Sequence, residues 1–271
     1  MRFAATVALV ALFSAPALCA DLVITKSKHS DAMKMPGQEQ PAKDTTEVTW
    51  MGKDRMRQEE GEQVTIVRAD EKKMYILDTK AKTVSTIDLP FDMKKYMPPD
   101  MPPDMAPMIE QMMGQVKVVV TPTTETKKIK DWNATKYTMT MSMPMPMGGG
   151  FTQEIWATKD VEFDRAVFQE LSGAMMATGM GGAPMAAEYK KIDGLAILTE
   201  RTQTMGGMTI KSREEVTAIE TKEAPEGLYD VPKGYTEKRF DPMGEGAMGG
   251  RGPGGRPGGQ PPADKPKEKG G

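Results

Sequence analysis

Residues 47–88, EVTWMGKDRMRQEEGEQVTIVRADEKKMYILDTKAKTVSTID, decide the fold. Side-chain character alternates at period two through 47–51, 63–67, 73–77 and 83–87, the signature of half-buried strands rather than helices. Between the runs stand Gly52-Lys53-Asp54, Gly61 and a charged pentapeptide at 78–82. Short strands spaced by such turn residues predict an antiparallel meander, with 78–82 as a hairpin loop.

Working outward, residues 22–25 (LVIT) predict a strand before the meander, and 116–120, 135–143, 153–157, 195–204 and 208–219 predict strands after it. Gly206-Gly207 is a turn signal joining the last two. Residues 89–115 interrupt the pattern. Pro98, Pro99, Pro102 and Pro103 lack the backbone donor that a helix interior or a central strand requires. This stretch reads as a Met/Pro-rich excursion or lid, with room for two helical turns at 106–115. The best helix is 163–178, where Phe163, Ala166, Val167, Leu171, Ala174 and Met175 share one face. Residues 179–184 read as a Gly/Met/Pro loop. The last segment, 241–271, is Gly, Pro and charge without apolar periodicity, which predicts a disordered tail.

The first twenty residues have the layout of a secretory signal: Arg2, an apolar run at 3–13, then small residues ending at Ala20. The run is shorter than the roughly 20 residues of a membrane-spanning helix, and no second one follows. A cut near Ala20 places the mature protein in the periplasm or outside the cell. A cut after Ala17 and lipidation of Cys19 are the alternatives, the bulky Leu18 disfavouring the second. Cleavage after Ala20 removes the only cysteine, so no disulfide can support the fold.

Acidic and basic side chains nearly balance, at 38 and 36, which excludes the basic footprint of a nucleic-acid binder. His29 is the single histidine, and no carboxylate pair stands in an apolar setting, so an enzyme is not expected. Gly148-Gly149-Gly150 lacks the lysine and the strand–helix context of a phosphate loop.

The closing stretch resembles a family. Asp193-Gly194-Leu195-Ala196-Ile197, followed by paired strands and then 223–235 (EAPEGLYDVPKGY), is similar to the end of LolA/LolB-like exported bacterial proteins. Within that group it most resembles a periplasmic family of unknown function, and residues 72–84 resemble the family's earlier hairpin. The resemblance implies a mainly β, α+β domain over 21–240: a strongly curved antiparallel sheet wrapping one or two helices around an apolar cavity. In LolA that cavity receives lipoprotein acyl chains. No residue of this chain matches LolA's functional positions, and its Met-Pro segments depart from the pattern.

Methionine is the sharpest compositional signal, 26 of 271 residues against 6% aromatics. Met139, Met141, Met143, Met145 and Met147 alternate without a gap, which on a strand puts five thioethers on one face, about 6–7 Å apart. Met108, Met112 and Met113 fall in the predicted lid. Three readings compete. Met139, Met141, Met143, Met108, Met112 and Met113 line a cavity for a lipid or other apolar ligand, Met being soft and adaptable. Alternatively, His29, Met33, Met35, Met145 and Met147 capture Cu(I), which thioethers favour. In the third reading methionine merely replaces leucine in the core of a structural or interaction protein. The working expectation is non-catalytic binding of an apolar ligand in the cell envelope, without a cofactor.

Overall fold

A computed structural model describes residues 20–35, 38–98, 101–102, 104–143, 149–179, 182–205 and 208–242. Residues 1–19 and 243–271, the expected signal and most of the expected tail, lie outside the described residues. No helix among the described residues is long and apolar enough to cross a membrane.

Strand β1 (Asp21–Ser30) leads into a small hairpin, β2 (Met33–Met35) with β3 (Gln38–Gln40). The meander follows as β4 (Lys43–Met51), β5 (Arg55–Glu60), β6 (Gln63–Arg68), β7 (Lys73–Asp78) and β8 (Thr83–Asp88). Helix α1 (Met105–Gly114) separates it from β9 (Lys117–Ile129), β10 (Trp132–Ser142) and β11 (Gly150–Thr158). Helices α2 (Arg165–Ala177) and α3 (Gly182–Tyr189) come next. Strands β12 (Leu195–Met205), β13 (Met208–Lys222) and the short β14 (Thr236–Glu237) end the described chain. Twelve strands form one sheet in the order β14-β8-β7-β6-β5-β4-β1-β13-β12-β11-β10-β9. Every pairing in it is antiparallel except β14 with β8.

The mainly β, curved-sheet expectation therefore holds. Helix α2 reaches β6, α3 reaches β9, and the two helices pack on each other. Strands eight places apart in the sheet can meet one helix pair only if the sheet curves around it. The sheet stays open: its ends, β14 and β9, do not pair. Among the described residues there are three α-helices rather than one or two, because residues 182–184, expected to end the loop of 179–184, begin α3.

The inner face, against the helices, carries the main core. Leu22, Ile24, Met51, Met56, Val67, Met74 and Ile87 from successive strands pack with Leu171 of α2. Asp164 caps α2, its Oδ1 accepting from the Val167 N–H at 3.1 Å, a bond that satisfies one orphan donor of the first turn. On the outer face Val64, Ile66, Leu77 and Val84 are covered by Ala224, Leu228, Tyr229, Val231 and Tyr235. That is the EAPEGLYDVPKGY segment, which acts as a strap. Arg57 Nη1 donates to the Leu228 carbonyl at 3.0 Å and Arg68 Nη1 to Asp230 at 3.1 Å, fixing the strap to β5 and β6.

Leu89, Phe91 and Tyr96, at the start of the excursion, pack against the core. Phe91 and Tyr96 stack at 5.7 Å, each meeting Phe240 edge-on. At the free edge of β9, Glu188 Oε2 accepts from the Val120 N–H at 2.8 Å. Pro122, two residues on, has no N–H to expose. Such devices discourage a foreign strand from pairing with an open edge.

Candidate functional site

Period-two alternation carries the inner face of β1 from Leu22 and Ile24 straight to Lys26 and Lys28, so two ammonium groups enter the curl of the sheet. Strand register supplies their partners. Lys26 lies opposite Glu47, which lies opposite Glu60, and Lys28 lies opposite Glu214. Lys26 Nζ donates to Glu47 Oε1 at 3.0 Å, and Lys28 Nζ donates to Glu47 Oε2 at 3.2 Å and to Glu60 Oε2 at 2.6 Å. The Glu47 side chain is only 3% exposed. Thr49 Oγ1 adds a longer bond to it at 3.4 Å.

These contacts set the proton affinities. Burial pushes the Glu47 carboxyl up, but the Lys26 and Lys28 ammonium groups outweigh it and hold the pKa at about 2. Burial likewise pulls Lys26 down, and Glu47 and Glu214 more than reverse that, leaving it above its ordinary value. Neither group exchanges a proton near neutral pH.

The charged floor passes into an apolar one along adjacent rows. In register, Tyr137, Ile155, Thr199 and Glu214 form one row, Met139, Gln153 and Arg201 the next, and Met141, Phe151 and Gln203 the third. Val118, Val120, Tyr137, Met139, Met141, Phe151 and Ile155 make one buried cluster, against which Met143, Met185 and Tyr189 pack. Arg201 lies over the Phe151 ring at 4.5 Å and has no carboxylate within ion-pair distance among the described residues. Burial lowers its pKa while Glu214 opposes the shift.

Helix α3 covers this junction. It buries no residue completely and begins at Gly182, whose φ is +53°. Its last residue, Tyr189, borders a polar cavity of about 50 Å³ together with Lys26, Gln153, Thr199 and Glu214. A second cavity of about 310 Å³ lies outside the curl, between Asp21, Arg55 and the strap at 223–230.

The methionines singled out from the sequence are distributed unevenly. Met139 and Met141 are 1% and 8% exposed, and Met143 is half-buried beside them. All three share the inner face, as strand alternation required. Met112 and Met113 of α1 are half-buried; Met113 Cε lies 3.9 Å from the position a Cβ would take on Gly182, so α1 adjoins the start of α3. Met108 is 55% exposed and faces away. Neither cavity is bounded by methionine.

Of the copper alternative, Met145 and Met147 lie outside the described residues, while Met33 and Met35 form β2. His29 projects from the outer face of β1, with Nδ1 2.7 Å from Asp44 and Nε2 3.4 Å from Asp31. It and the buried Met139–Met141 pair therefore lie on opposite faces of the sheet. Among the described residues no group of three His, Cys, Asp or Glu side chains could hold a metal ion.

Sequence reasoning missed the charged floor: Lys26, Lys28, Glu47, Glu60, Arg201, Glu214 and Gln153. The available signal was parity, since a strand that buries positions 22 and 24 must also turn 26 and 28 inward.

Three solved structures show weak likeness. One is "Structure of PNGF-II in C2 space group", 13% identical with a TM-score of 0.37; the match covers 82% of this chain, which spans 31% of that one. A domain from Vibrio parahaemolyticus described as an outer membrane lipoprotein-sorting protein is 9% identical, TM-score 0.29, with 78% and 89% covered. A DUF1329 family protein from Desulfovibrio piger is 6% identical, TM-score 0.28, with 79% and 91% covered. No curated protein matches the chain. The family model that does match spans residues 31–235, and the chain belongs to the family described as Domain of unknown function (DUF4412).

Proposed function

We propose that this is a non-catalytic binding protein of the cell envelope that takes a lipid or similar amphiphile on the inner face of its sheet, beneath α3. One observation carries the reading: a charged, hydrogen-bonding floor and a soft Met/Phe surface are contiguous on one face, under a helix that buries no residue completely. An amphiphile needs both halves. Met139, Met141 and Phe151 can repack around an irregular chain at small cost, and the ion-paired rows can meet a polar head. The signal-like amino terminus supports a periplasmic or secreted location. Against catalysis stands the pKa pattern: a general acid or base works best with a pKa near the operating pH, and the Glu47–Lys26 pair lies far from it on both sides.

The test is native mass spectrometry of protein purified from periplasmic extract. A co-purifying amphiphile of defined mass, lost on Met139→Glu, is expected. Protein that runs bare, or that carries only copper, overturns the proposal.

A further inference from the structure

The cavity under Tyr189 contains an unmet bond. Gln153 is 7% exposed, borders the cavity, and its Oε1 has no hydrogen-bond partner. Buried polar atoms in native proteins are nearly always paired, so an unpaired one calls for an explanation. No donor lining the cavity reaches Gln153 Oε1: Lys26 Nζ is held by Glu47, and neither the Tyr189 nor the Thr199 hydroxyl bonds to it. Glu214 also borders the cavity, and its ion pair with Lys28 is 3.8 Å long, outside good hydrogen-bond range. The Gln153 amide oxygen is thus an acceptor left open beside the cavity.

Charge narrows the ligand class further. Lys26 and Glu214 line the cavity with opposite charges, and Lys28 and Arg201 balance Glu47 and Glu60 on the same sheet face, so a cation or an anion placed there would be left uncompensated in a poorly solvated site. A neutral donor meets no such penalty. The volume of about 50 Å³ exceeds the roughly 10–15 Å³ that a cavity needs to hold one water molecule, enough for a terminal hydroxyl group. Gln153 lies directly opposite Met139 in the β10–β11 register, so a molecule anchored at Gln153 has the methionine surface beside it.

We infer that this cavity is a head-group subsite for an uncharged hydroxyl, the hydroxyl donating to Gln153 Oε1 while the apolar chain lies on Met139, Met141 and Phe151. The inference rests on the amphiphile reading and specifies which amphiphile.

Three probes with one acyl chain test it: glycerol monooleate, methyl oleate and sodium oleate, titrated below their aggregation limits by microscale thermophoresis. Glycerol monooleate is expected to bind about tenfold tighter than methyl oleate, the scale of one buried hydrogen bond. Gln153→Met, which keeps the side-chain length and removes the acceptor, should abolish that preference, so that the glycerol monoester and the methyl ester bind alike. An unchanged far-UV circular dichroism spectrum reports an intact fold. Equal binding of the ester and the glycerol monoester to the unaltered protein overturns the subsite while chain binding stands. Tightest binding of oleate overturns it in favour of an anion site at Arg201. Failure of all three probes removes the amphiphile reading itself.

Discussion

The Tyr229 hydroxyl donates to Asp21 Oδ2 at 2.6 Å, joining residues 208 positions apart. It ties the strap to the first residue of a central strand, inside the segment whose sequence carries the family resemblance. Arg55 lies over the Tyr229 ring at 5.3 Å, completing the contact. Tyr229→Phe leaves the buried Asp21 carboxylate without this donor and should cost about 1–3 kcal/mol, read as a lower urea midpoint with unchanged slope.

Gly194, the glycine of the Asp-Gly-apolar mark, has a φ of +131°, and a Cβ there would lie 2.3 Å from the Thr158 carbonyl oxygen. The mark is therefore steric, allowing β12 to begin against β11. Gly194→Ala should destabilise by about 3 kcal/mol or more, combining backbone strain with a backbone clash. Thermal denaturation followed by far-UV circular dichroism measures it.

Glu47 predicts the acid limb of stability. Its folded pKa of about 2 lies below its ordinary 4.5. The folded state thus favours the ionised form, and the resulting stability is fully present above about pH 5 and lost as pH falls toward 2. Lys26 works in the opposite direction: its raised pKa gives stability that is present below 10.5 and lost as pH climbs through the folded value. Glu47→Gln removes the carboxylate paired with Lys26 and one of those paired with Lys28, and should cost about 3 kcal/mol at pH 7. The variant's unfolding midpoint should also fall less between pH 5 and pH 2 than that of the unaltered protein. An equal fall in both would show that the loss arises elsewhere.

Methionine oxidation should follow exposure. Met108, 55% exposed, and Met105, 39% exposed, should be oxidised by dilute peroxide well before Met139, which is 1% exposed. Peptide mass spectrometry over a time course gives the order, and saturating glycerol monooleate should slow Met139 and Met141 further.

The sheet was legible because its strands bury one parity of residues at a time; 63–67, 73–77 and 83–87 match β6, β7 and β8 to within a residue. Strand β9 runs to Ile129 rather than stopping near 120, because its polar second half (TPTTETKKI) keeps pairing with β10 at a sheet edge where water, not apolar burial, meets the side chains. Helix α3 was hidden by its composition. Gly182 and Pro184 read as loop residues, yet proline is tolerated in a first helical turn, where its missing N–H has no partner to lose. The polar floor was hidden for another reason. Glu47, Gln153 and Glu214 come from three distant strands, and only register brings them onto one face.

The most direct test of ligand binding beneath α3 is hydrogen exchange with mass spectrometry, comparing free protein with protein saturated by glycerol monooleate. Slowed exchange is expected in 137–143, 150–155 and 182–189, with the strap at 223–235 unchanged. Slowing confined to the strap, or no difference anywhere, would contradict the account.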